Sequence, residues 1–280
     1  MNWNLNSALI IGRDHELAKK NRQDALTFFK EKDKIIGVIC DGCGESQFSE
    51  IGSSLLSIFT LNLLKQIEYE IVESSITFQE HIKILIKRQL ETEISRFIQK
   101  TMQTLLIETT IEEIDFIKDY FLSTILFFII NENLSVVGHC GDGVIIVNKN
   151  IYSVNQSGSP HYISYKCIPK EVLDKQPSEL EYFNIETYPT NSISHIIIGS
   201  DGLEPIINAN LMDHLLETQK RQLQRRFNIW QQQKMFGDDV SCIVVENLDP
   251  ISDSSIYVQA HGKEYQASED FAKLVKSIKL

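Results

Sequence analysis

Clustered positive charge is missing from this sequence. Its 280 residues include 27 lysines and arginines against 38 aspartates and glutamates, so the formal net charge is -11. General binding to nucleic acid or to an anionic membrane surface needs a concentration of basic residues. The composition therefore argues against both classes of function. At 42% hydrophobic and 23% charged residues, it is typical of an ordinary globular protein.

The sequence also has no long hydrophobic run. Its longest apolar stretch, FLSTILFFII at residues 121–130, is far shorter than the ~20 residues that a membrane-spanning helix needs. The first 15 residues contain neither a basic segment nor a long apolar one, so we expect no signal peptide. The odd number of cysteines, five, favours a reducing compartment over a disulfide framework. We therefore expect a cytoplasmic protein.

Two kinds of hydrophobic pattern follow one another along the chain. Short segments rich in β-branched residues predict strands. They lie at residues 7–12, 25–30, 34–40, 124–130, 134–140, 144–148, 193–199 and 240–246. Two blocks, at about 47–108 and 211–233, predict helices. This order is not the regular alternation of a doubly wound sheet. It predicts an α+β fold in which antiparallel sheets pack together and helices cover the outside.

The first helical block contains one long amphipathic pattern. Apolar residues recur every four positions at Ile82, Ile86, Leu90, Ile94, Ile98, Met102 and Leu106. Lysine, arginine, glutamate and glutamine occupy the other side. The pattern predicts a long helix that packs one face on the core.

The chain divides into one large domain and a small C-terminal extension. Residues 155–189 are richer in proline, serine and lysine and predict an irregular connection. The segment LDPISDSS at 248–255 predicts a linker, and the residues after it predict a hairpin and a capped helix. We therefore predict a main domain at 1–247 and a linker with a small appendage at 248–280.

Aspartates stand repeatedly at the ends of predicted strands. Asp41, Asp142 and Asp201 each follow an apolar segment and precede a glycine. Asp24 and Asp238 stand just before strands. Taken singly, such residues are typical of turns, and Asp142 between two strands fits a hairpin.

Together these aspartates predict a metal site. If the strand ends meet at one edge of the core, their carboxylates repel one another unless cations intervene. Carboxylate and carbonyl oxygens are the ligands that Mg²⁺ and Mn²⁺ prefer, and a glycine after the aspartate lets the backbone approach the ion. Two such ions, about 3.5–4 Å apart, suit the transfer of a phosphoryl group to water.

A competing interpretation places the chemistry in Cys40 and Cys43, which enclose Asp41 in the segment CDGC. A structural zinc site needs a second pair of ligands. The remaining cysteines form no second Cys-x-x-Cys pair: Cys140, Cys167 and Cys242. Strand alternation puts Cys40 on one apolar face with Ile36 and Val38. We therefore favour the aspartate over the sulfur atoms.

Six segments occur in a characteristic order. They are RQDA at 22–25, VICDGCG at 38–44, LSTILFFI at 122–129, VGHCGDGVII at 137–146, IIGSDGLEPI at 197–206 and GDDVSCIVV at 237–245. In this order, and over about residues 12–246, they resemble the motifs of the metal-dependent protein phosphatases of the PPM (type 2C) family, in particular its compact bacterial forms. The resemblance implies a four-layer αββα sandwich. It also implies hydrolysis of phosphoserine or phosphothreonine, in proteins that a serine/threonine kinase has phosphorylated, by a water molecule that bridges two Mg²⁺ or Mn²⁺ ions.

The resemblance also assigns roles to the metal-binding residues. Asp41 is implied as the ligand that bridges the two ions, and the carbonyl of Gly42 as a further ligand. Asp201 and Asp238 are implied as ligands of one of the ions. Asp24 is implied to act at the ions directly or through water.

Two further roles are implied. Asp142 is implied to help bind a third, more weakly held ion. Lys19 stands where many members bind phosphate with an arginine, and Lys20 and Arg22 are alternatives to it.

The chain departs from the family pattern at several positions. Gln23 replaces a glutamate, and Cys43 replaces the histidine that is proposed as general acid. Glu45 replaces a glycine of the same motif, and Glu204-Pro205 stands where Trp-Asp is usual. The stretch 203–237 is short, so we expect no large flap subdomain. These departures leave two alternatives to an active protein phosphatase: an inactive binding module, or an enzyme that acts on small phosphorylated molecules.

Overall fold

In the computed structural model, the described residues are 2–67, 76–107, 109–154, 160–169, 172, 182–216 and 222–249. They form ten strands and seven α-helices. The strands are β1 (Trp3–Ile10), β2 (Ala25–Lys30), β3 (Lys34–Cys40), β4 (Ile125–Asn131), β5 (Leu134–Cys140), β6 (Gly143–Val147), β7 (Asn150–Val154), β8 (Asn184–Pro189), β9 (His195–Gly199) and β10 (Val240–Asn247). The helices are α1 (Arg13–Ala18), α2 (Ser49–Gln66), α3 (Ile76–Thr104), α4 (Thr110–Phe116), α5 (Glu204–Asn208), α6 (Asp213–Leu216) and α7 (Gln222–Gln232).

The strands form two antiparallel sheets of five. The first has the order β1-β10-β9-β6-β7 and the second the order β2-β3-β4-β5-β8. One apolar cluster fills the space between the sheets and includes Ile39, Leu126 and Ile243. A second cluster lies between the second sheet and the helices α2 and α3, and a third between the first sheet and α7. The predicted four-layer αββα sandwich is therefore confirmed.

Strand β4 shows how the sequence encodes these layers. Its first six residues are all buried, because one face contacts the helices and the other contacts the opposite sheet. Phe127 and Ile129 belong to the helix-side cluster, whereas Leu126 and Phe128 belong to the cluster between the sheets. A strand covered on both faces needs apolar residues at successive positions, and this explains the run at 125–130.

The long amphipathic helix is present as α3. Its apolar residues Ile82, Ile86, Leu90, Ile94, Ile98 and Met102 are at most 4% exposed. The prediction is wrong for the last member, Leu106, which is 78% exposed. The helix ends at Thr104, and Leu106 has a φ of 57°, so its side chain leaves the apolar face.

Several elements were not predicted. Strand β8 lies within 155–189, for which an irregular connection was predicted. It is the outer strand of its sheet beside β5, and its sequence NIETYP is mostly polar, so the strand pattern is weak. Strand β7 and the helices α1, α4 and α5 were also missed; all of them are short. The predicted C-terminal hairpin and helix lie outside the described residues.

The strand ends that carry the candidate site meet at one edge. Ala25 pairs with Cys40, so the residues before β2 and after β3 lie side by side. In the other sheet, Ile10 pairs with Val240 and Cys242 with Gly199, which brings the start of β10 beside the end of β9.

Among the described helices, none combines the length and apolar character needed to cross a bilayer.

Gly52 is required by the close approach of α2 to the π-helical turn Ile117–Phe121. A Cβ atom at position 52 would lie 1.5 Å from the carbonyl oxygen of Tyr120. Overpacking in a core typically costs about 1–3 kcal/mol, and a contact with rigid backbone is at the upper end of this range.

We expect Gly52→Ala to lower the free energy of unfolding by at least ~2 kcal/mol in urea titrations. Ser54→Ala, on the exposed side of the same helix, is the matched control and should leave it unchanged or slightly higher. Equal stability of the two variants would contradict the prediction.

Candidate active site

Four carboxylates converge at this edge, and Asp24 is the most deeply placed of them. Asp24 precedes β2 and is 2% exposed. The Ser200 hydroxyl donates a hydrogen bond of 2.7 Å to Asp24 Oδ2. Because Ser200 follows β9 in the first sheet and Asp24 precedes β2 in the second, this hydrogen bond connects the two sheets. Ser200 is held in turn by Ser241, whose backbone N–H donates to the Ser200 hydroxyl oxygen at 3.0 Å.

Asp41 occupies the centre of the group. It follows β3, and its backbone N–H donates to the Thr124 hydroxyl oxygen at 3.1 Å. The Thr124 backbone N–H donates back to the Asp41 carbonyl at 2.8 Å. The Asp41 carboxyl shares a hydrogen bond with Asp24 and another with Asp201. Asp41 therefore joins the buried and the open sides of the group.

Burial and repulsion from neighbouring carboxylates raise the pKa values of Asp24, Asp41 and Asp201. Burial raises the pKa of Asp24 to about 7, although hydrogen bonds from Ser200 and Asp41 partly oppose the shift. Burial, followed by repulsion from Asp24 and Asp201, raises the pKa of Asp41 well above its usual range. Asp201 as a residue is exposed, but its carboxyl faces the group. Burial of this carboxyl and then repulsion from Asp238 raise its pKa.

The Asp41–Gly44 loop is closely packed. The Gly42 N–H donates to the Gln23 carbonyl at 3.3 Å, and the Cys43 N–H donates to the Leu122 carbonyl at 2.8 Å. A Cβ atom on Gly42 would lie 2.8 Å from Ser49 Cβ, so a larger residue would displace the loop or the start of α2. The loop thus holds Asp41 and Gly42 at a fixed position.

Two residues to which the sequence assigns no metal role lie beside Asp238. In the described part of the chain, His15, Asp238 and Asp239 offer possible metal-binding atoms within 4.8 Å of one another. Asp239 is 2% exposed, whereas the side chain of Asp238 is 63% exposed. Aspartates just before a strand are typical of exposed turns, whereas Asp239 is buried. The available signal was strand alternation, which directs neighbouring side chains to opposite sides.

Asp142 lies at the same edge but not in a hairpin. It connects β5 of the second sheet to β6 of the first, so the chain crosses between sheets at this point. Gly141 and Gly143 on either side have φ values of 87° and 146°, which favour glycine. Burial lowers the pKa of His139, and the contact of its ring with the Gly141 carbonyl and the charge of Asp142 partly oppose this shift.

The cysteines do not form a metal group with these acids. All five are free, and Cys40 is fully buried on the helix side of its sheet with Ile36 and Val38, as strand alternation predicts. Burial raises the pKa of the Cys40 thiol well above its usual value. Cys43 is partly exposed, and its sulfur is a hydrogen-bond partner of Tyr162. Burial is the main cause that raises the pKa of the Tyr162 hydroxyl.

The donor set fits Mg²⁺ or Mn²⁺. Asp24, Asp41, Asp201 and Asp238 supply oxygen atoms, the ligand type that these ions prefer. An open recess of about 260 Å³ lies on the exposed side of Asp201 and Asp238 and also contacts Glu204 and Asn208. The raised pKa values indicate that protons partly offset the repulsion in the metal-free site. Divalent cations would offset it more completely.

A family model described as Protein phosphatase 2C matches residues 11–241, and the chain belongs to this family. The family predicted from the six motifs is therefore confirmed. No curated protein matches the sequence.

Solved bacterial structures share the fold. Serine/threonine phosphatase Stp1 from Staphylococcus aureus is 14% identical with a TM-score of 0.56, and the match covers 89% of this chain and 96% of that one. PppA from Pseudomonas aeruginosa is 15% identical with a TM-score of 0.55, covering 88% and 98%. The catalytic domain of the serine/threonine phosphatase PstP, solved with two manganese ions, is 12% identical with a TM-score of 0.53, covering 88% and 99%.

The raised pKa values predict how the stability of the metal-free protein depends on pH. An ordinary aspartate has a pKa near 3.9, so the unfolded chain releases protons that the native Asp24, Asp41 and Asp201 still hold. The free energy of unfolding should therefore fall as the pH rises from about 4 to about 7. Thermal melts in excess chelator should show the fall, and Asp24→Asn should reduce its slope. A wild-type slope no steeper than that of Asp24→Asn would contradict the assignment.

Proposed function

We propose that this protein is a Mg²⁺- or Mn²⁺-dependent hydrolase of phosphoserine and phosphothreonine in proteins. The observation that carries the proposal is the convergence of Asp24, Asp41, Asp201 and Asp238 beside an open recess. Membership of the Protein phosphatase 2C family supports it. The composition and the five free cysteines favour a cytoplasmic site of action.

Each acid has a separate proposed role. Asp41, at the centre of the group, would bridge two ions, with the Gly42 carbonyl as a further ligand. Asp201 and Asp238, on the exposed side, would hold one of them. Asp24 would hold Asp41 in position or bind directly, and Asp142 would contribute to a weak third site. When bound, two divalent cations would activate a water molecule and neutralise charge on the phosphoryl group.

Lys20 is the better candidate than Lys19 for contact with phosphate. Lys19 is the exposed residue that ends α1, with a φ of 56°. The Lys20 ammonium group donates to the Gly44 carbonyl at 2.8 Å and so lies beside the Asp41–Gly44 loop. An ammonium group binds phosphate as a point charge, without the two-pronged geometry of arginine.

The leaving group must obtain its proton without the histidine that many relatives carry. Cys43 occupies that position, with Tyr162 as its neighbour. The Tyr162 hydroxyl keeps its proton at neutral pH, as an ordinary tyrosine does, and burial raises its pKa further. We propose that solvent supplies this proton, because the site is open to water beside Asp201 and Asp238.

An inactive binding module is the less favoured alternative. Such a module has no need of three neighbouring acids, Asp24, Asp41 and Asp201, whose pKa values burial and repulsion from nearby carboxylates raise. The substrate class is a separate question, because the recess is open and the stretch after Leu203 is short. Rates on a phosphothreonine peptide and on a small phosphomonoester, measured side by side, will distinguish a protein phosphatase from an enzyme of small molecules.

Asp41→Asn and Asp201→Asn should each reduce Mn²⁺-dependent hydrolysis of a phosphothreonine peptide by more than about a hundredfold. Loss of a residue that only supports a metal ligand typically lowers activity or metal affinity by ~10–100-fold, so loss of the ligand itself should cost more. The fold should remain intact in thermal melts, since each change removes charge from a repelling group. Asp33→Asn, in the exposed turn between β2 and β3, is the matched control and should retain full activity. No wild-type turnover of the phosphothreonine peptide with either Mn²⁺ or Mg²⁺ would overturn the proposed function.

Lys20→Ala should raise KM for an aryl phosphate by about tenfold, since a hydrogen bond to a charged group contributes ~1.5 kcal/mol or more. The kcat should change less, because the lysine contributes to binding rather than to the chemical step. Lys19→Ala removes a neighbouring lysine and should leave KM within about twofold of the wild-type value. A larger rise in KM for Lys19→Ala than for Lys20→Ala would show that Lys19, and not Lys20, contacts the phosphate.

A further inference from the structure

We propose that Asp239 is the positioning residue of the metal site, with His15 as its partner. Neither residue is among the proposed metal ligands. The inference rests on the proposed function, because it concerns the residues that hold those ligands in place. It is carried by the contacts of a single buried carboxylate.

The Asp239 carboxylate accepts hydrogen bonds from two separate segments. Its Oδ1 accepts from the Gly12 N–H at 2.7 Å, at the start of α1. Its Oδ2 accepts from the Gln23 N–H at 2.5 Å, immediately before Asp24. Each oxygen therefore connects β10 to a different part of the chain.

The contact with Gln23 extends to the centre of the site. The Gln23 carbonyl accepts from the Gly42 N–H at 3.3 Å and from the Ser53 hydroxyl at 2.6 Å. A continuous path thus runs from the Asp239 carboxylate through one residue to the loop that carries Asp41. Displacement of Gln23 would shift Asp24 directly and Gly42 through this hydrogen bond.

His15 completes the arrangement from α1. Its Nδ1 lies 2.9 Å from Asp239 Oδ2, and its Nε2 lies 3.7 Å from Asp238 Oδ1. The Nδ1 contact is within ion-pair distance, although the ring nitrogen is not aligned for a hydrogen bond. The imidazole ring therefore spans the two neighbouring aspartates and separates the inward carboxylate from the outward one.

The backbone at Asp238 and Asp239 is closely packed on both sides. A Cβ atom on Gly12 would lie 2.2 Å from the carbonyl carbon of Asp238. A Cβ atom on Gly202 would lie 2.0 Å from the carbonyl oxygen of Asp239. Gly202 directly follows Asp201, so the same packing fixes the separation of Asp201 and Asp238.

Aspartate is required at position 239 for a specific reason. A carboxylate has two accepting oxygens, whereas the amide of asparagine has one accepting oxygen and one donating NH₂ group. In Asp239→Asn, either the Gly12 N–H or the Gln23 N–H would face a donor. A buried N–H without an acceptor is unfavourable, so one of the two segments would move.

The test is Mn²⁺ binding by calorimetry to the full chain, together with thermal melts of the metal-free protein. Asp239→Asn should weaken Mn²⁺ binding about 10–100-fold, the range for outer partners of metal ligands. His15→Ala should weaken it in the same direction, and His15→Asn should restore part of the loss because its amide lies near the position of Nδ1. At saturating Mn²⁺, KM for an aryl phosphate should remain unchanged in all three variants. Ile82→Ala, in the apolar cluster between α3 and the second sheet, is the control for lost stability alone and should bind Mn²⁺ as the wild type does.

The outcomes separate this inference from the proposed function. If the wild type binds Mn²⁺ and turns over substrate, while Asp239→Asn and His15→Ala only lower the melting temperature, Asp239 is structural and the inference fails. If Mn²⁺ binding weakens in both variants but the wild type has no turnover, the proposed function fails and the positioning role stands. If the wild type binds no Mn²⁺, both are overturned. If Asp239→Asn does not fold, the Mn²⁺ affinities of His15→Ala and His15→Asn test the inference, because His15 is partly accessible and its replacement should be tolerated.

Discussion

Repulsion among carboxylates at one edge of the sandwich is the constraint on which the rest of this structure depends. Asp24, Asp41 and Asp201 share hydrogen bonds through Asp41. Burial raises the pKa of each, and repulsion from at least one neighbouring aspartate adds to the shift. Such a group is costly to assemble, and the surrounding fold must hold it in place. The three apolar layers supply that rigidity, because the strands β3, β9 and β10, next to Asp41, Asp201 and Asp238, are buried on both faces along most of their length.

The connections between the sheets are as important as the layers. The Ser200 hydroxyl joins the end of β9 to Asp24 in the other sheet, and Asp239 joins the start of β10 to Gln23. Neither contact lies within one sheet. The spacing of the acids is therefore determined by how the two sheets pack on each other, and a change in that packing would alter the site before it altered either sheet.

Much of this architecture was predictable from the sequence, and the exceptions have physical reasons. Strands covered on both faces, such as β4, have long apolar runs, whereas the outer strand β8 is mostly polar and resembles a loop. Asp41 and Asp201 stood out because each ends an apolar strand before a glycine. Asp239 and His15 did not, because their importance comes from contacts across more than 200 residues of sequence. The crossing of the chain between sheets at Asp142 was hidden for the same reason, since a hairpin and a crossover have similar local sequences.

The pairing of β1 with β10 has a consequence for how the protein matures. Strand β1 is at the edge of its sheet and its partner is β10, so the first described strand cannot join the sheet until the last has been made. Asp238 and Asp239 lie immediately before β10 and are added at the same moment. During synthesis on the ribosome, the emerging chain therefore carries Asp24 and Asp41 long before their partners exist. Pairings between such distant segments are slow to form, so the edge at which these acids meet is assembled only at the end of folding.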